Sequence, residues 1–385
     1  MEPQVRIAVV GAGQRGRTYA RIAASRPGVS IVAIAEPVAV RRDRLADEVG
    51  VALEHRYEDW HAMLAERPHA DVVVIATQDR QHEDCAISFL HAGYDLLLEK
   101  PMAPTEQSAE AIVAAAEAAG RQILVAHVLR YQAYTDQLFG LVRTGLIGSV
   151  VTVEHLEPIG DLHFAHSYVR GNWRRADESS SALLAKSCHD IDWIVALMGG
   201  LPDRVSSFGS LQHFRPEHAP AGSAARCLDC SLEPECSWSA PRQYLGHLET
   251  DSGWDWPLSV VTDQRDVEGV LSALREGPYG RCVFACDNDV VDHQVVTMQW
   301  SDGRTAAFTM SAFVKGGPRR TRIGGTRGHL EGDGETIRHF DYTSREVRDL
   351  AVTEPAHRDV GATGHGGGDE GLLDALIAAI RADDW

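Results

Sequence analysis

Apolar positions in the first third of the chain come in short unbroken runs rather than in alternation. Val5–Val10, Ile31–Ala35, Asp71–Ala76, Tyr94–Leu98 and Gln122–Ala126 are such runs. Continuous apolar runs predict strands buried on both faces, as in a parallel sheet. Helical spacing fills the gaps over Thr18–Ser25, Ala39–Val49, Arg80–Ala92 and Thr105–Ala119, with Thr105 as a cap and Gly93 and Gly120 as stops. Strands alternating with helices predict a doubly wound α/β domain over residues 1–126.

After His127 the pattern changes. Gln132–Thr144 is helical, and Val150–Glu157, Val205–Gln212, Val290–Trp300, Thr305–Phe313 and Arg322–Leu330 read as strands with little helix between them. This predicts a second α/β domain over 127–385 with a large, mostly antiparallel open sheet. An apolar helix runs through Lys186–Leu197 to a stop at Gly199-Gly200, and a last helix spans Glu370–Ala382.

Composition narrows the class. The chain has 385 residues, 44% hydrophobic and 24% charged, as in soluble globular proteins of two ordinary domains. No apolar stretch approaches the roughly 18 residues of a membrane span. Met1–Arg6 carries no leader pattern, so a cytoplasmic location is expected. The net charge of −18 excludes nonspecific nucleic-acid binding, which needs basic surface.

Chemistry concentrates at the strand ends. Gly11-Ala12-Gly13-Gln14-Arg15-Gly16 lies between a strand and a helix, the setting in which G-x-G-x-x-G binds a dinucleotide. Gly11 permits the turn, Gly13 lets backbone approach a pyrophosphate, and Gly16 lets helix and strand pack. Glu36 ends the second strand, where a carboxylate accepts from ribose hydroxyls and repels a 2′-phosphate. NAD is therefore favoured over NADP, although Arg41 and Arg42 just beyond can accept a phosphate. Thr77 and His82 are expected at the same ligand edge. Glu99-Lys100-Pro101 closes an apolar strand. Pro101 cannot continue a ladder, so Glu99 and Lys100 sit at the sheet's carboxyl edge, where a lysine can act as a base.

Two constellations follow in the second domain. Lys186, His189 and Asp190 share one helix face by three-and-four spacing and suit proton transfer. His166, Arg170, Asn172, Trp173 and Arg174, with Arg175, stand just before them and suit a sugar site. The chain has seven cysteines, and Cys227, Cys230 and Cys236 make C-x2-C-x5-C in a loop-like insertion over 213–250. That spacing predicts half of a structural zinc site, with His213 as the candidate fourth ligand and His218 and His247 in competition. Without metal these are reduced thiols. Gly364–Asp369, with His365, reads as a flexible turn before the last helix.

Together these residues resemble the glucose–fructose oxidoreductase, inositol dehydrogenase and rhizopine catabolism (Gfo/Idh/MocA) family. The resemblance rests on Gly11–Gly16, Glu99-Lys100-Pro101 and His189-Asp190-Ile191-Asp192. It implies a Rossmann domain followed by an α/β domain with an open sheet. It also implies a tightly held nicotinamide cofactor, dimers or tetramers, and action on sugars or cyclitols. By the same resemblance Lys100 lies between nicotinamide and substrate, and His189 lies over the substrate. One departure stands out: the family usually has an Asp four residues before this His, and here that position is Ala185, beside Lys186.

Three functions are compatible with this reading. The first is an NAD-dependent sugar or cyclitol dehydrogenase. The second is a redox-neutral NAD-dependent glycosidase, for which the arginines of the 166–175 stretch suggest an anionic sugar such as a sulfoquinovoside. The third is a non-enzymatic NAD-binding regulator, which would need no strand-end lysine.

Overall fold

A computed structural model describes residues 3–249, 256–352 and 365–385 and forms two compact units. The first unit holds a six-stranded parallel sheet in the order β3-β2-β1-β4-β5-β6. Its strands are β1 (Val5–Val10), β2 (Val29–Ala35), β3 (Arg56–Tyr57), β4 (Val72–Ile75), β5 (Asp95–Leu98) and β6 (Ile123–Val125). The helices between them are α1 (Gln14–Ala24), α2 (Ala39–Val49), α3 (Trp60–Glu66), α4 (His82–His91) and α5 (Glu106–Ala119). Thr105 caps α5 through Oγ1 to the Ser108 N–H, and Gly120 closes it in the left-handed region.

Alternate strand residues feed two cores, as the unbroken apolar runs require. Ala8, Val10, Val73, Ile75, Leu96 and Leu98 pack on one face with Phe89 and Ile112. Val5, Ile7, Val9, Val72 and Leu97 pack on the other, with Tyr19, Leu372, Leu373, Leu376 and Ile377. The last four lie on the C-terminal helix Gly368–Ala382. The expected single boundary at 126 is corrected accordingly. The first unit runs to Gln132, and the C-terminal helix belongs to it, because a parallel sheet must be covered on both faces. Gly364 lies outside the described residues.

The second unit holds an eight-stranded sheet in the order β14-β13-β12-β11-β7-β10-β9-β8, antiparallel except for β7 beside β10. Its elements begin with α6 (Ala133–Arg143), β7 (Val150–Pro158), the short α7 (Asp161–Phe164), α8 (Ala182–Met198) and β8 (Arg204–Ser210). They continue with α9 (Ala240–Leu248), α10 (Leu258–Val261), α11 (Val267–Glu276), β9 (His293–Gln299) and β10 (Thr305–Ser311). The sheet ends with β11 (Arg320–Gly325), β12 (Gly328–Gly332), β13 (Thr336–Asp341) and β14 (Val347–Ala351). The run expected as one strand over Arg322–Leu330 is thus a hairpin, β11–β12. One face of the sheet packs on α8, and on the other Phe208 of β8 is exposed beside Val295 of β9.

Candidate active site

Register places the strand-end residues of the first unit. Val10 lies opposite both Ala35 and Ile75, and Ile75 lies opposite Leu98. The chain therefore leaves the sheet at one edge four times, at Gly11, Glu36, Ala76-Thr77 and Glu99-Lys100. Strand order reverses between β1 and β4, and ligands of open α/β sheets bind at such a switch point.

The glycines there divide by cause. Gly11 has φ +93°, and a Cβ on it would strike Ala76 O; a Cβ on Gly16 would strike Gly11 O. Both are required by packing. Gly13 differs, since a Cβ there would meet nothing within 4 Å. The space above Gly13 is open, beside an α1 N-terminus that no side chain caps. Uncapped helix N–H groups beside an open backbone fit a pyrophosphate. The Glu36 carboxylate is 7% exposed and accepts from the N–H groups of Ala12 (2.8 Å) and Val38 (3.0 Å). It is therefore fixed against the glycine turn, where a ribose would lie. Thr77 Oγ1 is buried there without a hydrogen-bond partner. These groups fit a dinucleotide. Arg42 donates instead to Glu36 O (2.9 Å), and Arg41 stands in the first turn of α2.

His82 corrects an expectation. It is fully buried, with Nδ1 2.8 Å from Pro101 O and Nε2 3.3 Å from Thr77 O. It fastens two strand-end loops together and is enclosed by them, rather than presented to a ligand.

Lys100 is half-buried, its backbone N–H donates to Glu99 Oε2 (2.7 Å), and the bond that follows it, to Pro101, is cis. Glu99 Oε1 accepts from Arg15 Nε (2.6 Å) and from the Tyr19 hydroxyl (2.7 Å). Arg15 also bonds Asp369 Oδ1 (2.5 Å), at the start of the C-terminal helix, and Asp369 Oδ2 lies 3.2 Å from His365 Nδ1. Burial raises the Glu99 carboxyl, but Arg15, Lys100 and the two hydrogen bonds outweigh it, and the group lies below its ordinary value. Asp369 is held low by Arg15 and His365 in the same way, against burial. Arg15 and Glu99, expected as cofactor ligands, are thus committed to each other. What they give a cofactor is the position of the glycine turn and of Lys100.

In the second unit α8 begins at Ser181, whose hydroxyl caps Leu184 N–H (3.3 Å). His189 is 3% exposed. Asp190 is wholly buried and pairs with Arg319 Nε (2.7 Å) and His155 Nε2 (3.0 Å). Burial raises Asp190, but Arg319 and His155 overcome it and hold the group well below the carboxylate range. Arg319 also meets Glu157 (2.8 Å), and Lys186 reaches Glu157 from the other side (3.4 Å). Asp190 and Lys186, expected to take part in proton transfer, are both held by protein charges in this geometry. Both anchor α8 to β7 and to the residue before β11, and so fix the helix that carries His189.

The 166–175 stretch divides into buried and more exposed side chains. His166 is buried against Tyr244, with Nδ1 2.8 Å from its hydroxyl, and stacks on Tyr279. Burial, then the charge of Arg170, lowers it to about 3. Arg170 is wholly buried and donates to Arg281 O (2.8 Å) and Trp238 O (2.7 Å). Arg174 pairs with Asp287 (3.1 Å) and Glu178 (2.9 Å). Asn172 is exposed and Trp173 half-buried. Arg175 pairs with Asp177 (2.6 Å), so all three arginines from which an anionic sugar was expected already have protein partners.

Among the described residues no group of three or more His, Cys, Asp or Glu side chains is gathered as metal ligands. His213 corrects its assignment as the fourth ligand. Its backbone N–H donates to Asp292 (2.7 Å), and its ring lies among Phe214, Trp238, Phe284 and Phe313. All seven cysteines are free thiols.

Sequence reading missed Tyr19, His155, Glu157 and Arg319. A signal existed for two of them. Along β7, Val153, His155 and Glu157 are buried while Val151, Thr152 and Glu154 are exposed, so His and Glu occupy inward positions. A polar residue on the inward register of a strand needs a buried partner.

Two family models match the chain. One, described as "Oxidoreductase family, NAD-binding Rossmann fold", covers residues 5–127, and the other, described as "Oxidoreductase family, C-terminal alpha/beta domain", covers 140–383. The Bacillus subtilis protein YteT is 24% identical over 80% of this chain and 72% of its own length. The 2,7-anhydro-N-acetylneuraminate hydratase of Mediterraneibacter gnavus is 25% identical over 70% of this chain and 66% of its own, just under two thirds. A levoglucosan dehydrogenase solved with NADH and L-sorbose shares the fold, with a TM-score of 0.68 at 18% identity, over 99% of this chain and 90% of that one.

Proposed function

The chain belongs to the Gfo/Idh/MocA oxidoreductase family, and from that premise we propose that it transfers a hydride between nicotinamide and a hydroxyl-bearing carbon of a sugar or cyclitol. The observation that carries this reading is the common edge of four strand ends, where Lys100 stands with the glycine turn and Glu36. Bound NAD supplies the hydride acceptor. The Gly11–Gly16 backbone and the α1 N-terminus hold its pyrophosphate, and Glu36 holds the adenosine ribose and disfavours a 2′-phosphate. Lys100 takes the proton that the substrate hydroxyl gives up, and returns it in the reverse direction. Glu99 keeps the Lys100 backbone in place. His189 is a second proton-handling group, in line with the family resemblance.

A second reading is favoured by Ala185. It is buried where the family usually carries an acid, and the neighbouring Lys186 is engaged by Glu157. A changed proton relay suits redox-neutral chemistry, in which a glycoside is oxidised, loses its aglycone, takes up water and is reduced again. The hydratase among the relatives supports the idea that such chemistry lies within reach of this scaffold.

One experiment separates these readings. The protein is incubated with NAD and a panel of free sugars, cyclitols and aryl glycosides, and NADH absorbance and aglycone release are followed together. NADH accumulation without aglycone establishes the dehydrogenase. NAD-dependent aglycone release without lasting NADH establishes the glycosidase. NADH binding with neither reaction across the panel favours a regulator. Lys100→Met is expected to keep NADH affinity within roughly threefold and to lower turnover by about 10²–10⁴.

A further inference from the structure

Against the cysteine insertion lies a buried cation with no carboxylate partner among the described residues. Arg170 is wholly buried, and its guanidinium bonds two carbonyl oxygens, Arg281 O and Trp238 O. Its remaining hydrogen bond goes to a sulfur, with Nη2 3.7 Å from Cys227 Sγ. Nη1 is buried with no hydrogen-bond partner. No carboxylate among the described residues forms an ion pair with it. Arginine stays charged in proteins, and a buried charge needs a counter-charge. The groups around Arg170 that can become anionic are thiols and the Tyr244 phenol, and burial raises the phenol away from ionisation.

Those thiols sit on adjoining backbone. Cys230 N–H bonds Cys227 O (3.2 Å), which closes the C-x2-C turn. Cys236 Sγ accepts from Trp238 N–H (3.4 Å), and the Trp238 carbonyl is one that Arg170 holds. A fourth cysteine arrives from far along the chain. Arg226 and Arg281 form an isolated antiparallel bridge, and Cys282 N–H bonds Ala225 O (2.9 Å). Cys282 therefore follows directly on the residue paired beside Cys227, and Cys227 Sγ lies 3.9 Å from Arg281 O.

We propose that Cys227, Cys230, Cys236 and Cys282 bind one zinc ion in a closed structural site, and that Arg170 is its buried counter-charge. Zinc displaces four thiol protons, so four thiolates around a divalent ion leave two negative charges beside the guanidinium. The Trp238 N–H gives a hydrogen bond to a coordinated sulfur, the kind of outer contact that supports metal thiolates. The sulfurs do not surround a common point in the described structure. Gathering them takes movement of three segments, the Cys227–Cys230 turn and the stretches at Cys236 and Cys282, and metal binding is coupled to such local ordering. Cys286 is the excluded thiol, because its Sγ is 3.3 Å from Cys282 O, engaged within its own turn.

The test is metal content of the full chain, purified without a histidine tag. Mass spectrometry is expected to find about one zinc per chain. Cys230→Ser and Cys282→Ser should each fall below roughly a tenth of that, while Cys286→Ser and His213→Gln should retain it. Loss of fold in the serine variants is met by a second measurement on the unaltered protein. After chelation under reducing conditions, added Co²⁺ should give thiolate-to-cobalt charge-transfer bands and the strong visible absorption of a tetrahedral site. A chain that holds no zinc and takes up no cobalt overturns the proposal. So does retention of zinc by Cys282→Ser, or its loss from His213→Gln.

Discussion

Arg15 Nε lies 2.6 Å from Glu99 Oε1, and this contact ties the glycine turn after β1 to the lysine-bearing end of β5. Arg15 reaches Asp369 with the same guanidinium, so it bridges two buried carboxylates. Its removal should be expensive. Arg15→Met removes the guanidinium that Glu99 and Asp369 share and is expected to cost about 3–5 kcal/mol in urea unfolding. Arg15→Lys keeps the charge but loses the fork that spans both acids, and should cost less. Equal losses in the two variants would show that charge alone does not hold the site.

Gly13 and Gly16 predict opposite outcomes for the same substitution. Gly16→Ala puts a methyl into Gly11 O and should lower the melting temperature or prevent folding. Gly13→Ala meets nothing within 4 Å and should leave the melting temperature near that of the unaltered protein. Its effect should fall on the cofactor, with NADH affinity weakened by roughly tenfold or more in a fluorescence titration, because the pyrophosphate needs close backbone approach. A Gly13→Ala protein that binds NADH normally would remove the glycine turn from the proposed cofactor site.

The parts of this molecule that could be read from sequence are those whose cause is local. Glu36, Thr77 and Lys100 each follow an apolar strand, and a strand end in a parallel sheet is a ligand edge wherever it falls. The partners of Arg15 could not be read that way, since Asp369 lies 354 residues on and nothing in the spacing joins them. The same holds for Arg319 with Asp190 and for Cys282 with Cys227. Helix periodicity put Lys186, His189 and Asp190 on one face but could not say that the sheet already supplied partners for two of them. Polarity also misled at His166 and Arg170, whose residue types suit a sugar but whose burial serves the insertion.

His166 makes a pH prediction. Burial and Arg170 hold it at about 3 in the folded chain, against about 6.5 when unfolded. Below about pH 6.5 the unfolded chain binds a proton that the folded chain refuses, so unfolding is favoured as pH falls. The stability from the neutral ring is full above about 6.5 and is lost progressively towards 3, at up to ~1.4 kcal/mol per pH unit. Urea midpoints between about pH 6.5 and 4.5 avoid most carboxylate titration, and the difference from His166→Phe removes the like contribution of His213 and His247, which burial also lowers. His166→Phe is expected to be less stable at pH 7, having lost the Tyr244 bond, but to show a flatter pH dependence. Parallel curves for the two proteins would exclude His166 as the source.

The pairing of Asp190 with Arg319 distinguishes an anchor from a catalyst. Asp190 is wholly buried, and Arg319 Nε also meets Glu157. Asp190→Asn removes one negative charge from a group of buried charges and is expected to destabilise by about 3–5 kcal/mol. Arg319→Met strands both acids and should cost at least as much. The double variant removes one charge of each sign and should recover part of the sum, with a coupling of about 1–3 kcal/mol in a double-mutant cycle. If Asp190 only anchors α8, the protein that remains folded should keep the pH profile of turnover while its rate falls modestly, since His189 is displaced rather than deprived of a proton partner. A shifted profile at full stability would instead make Asp190 a member of the proton relay.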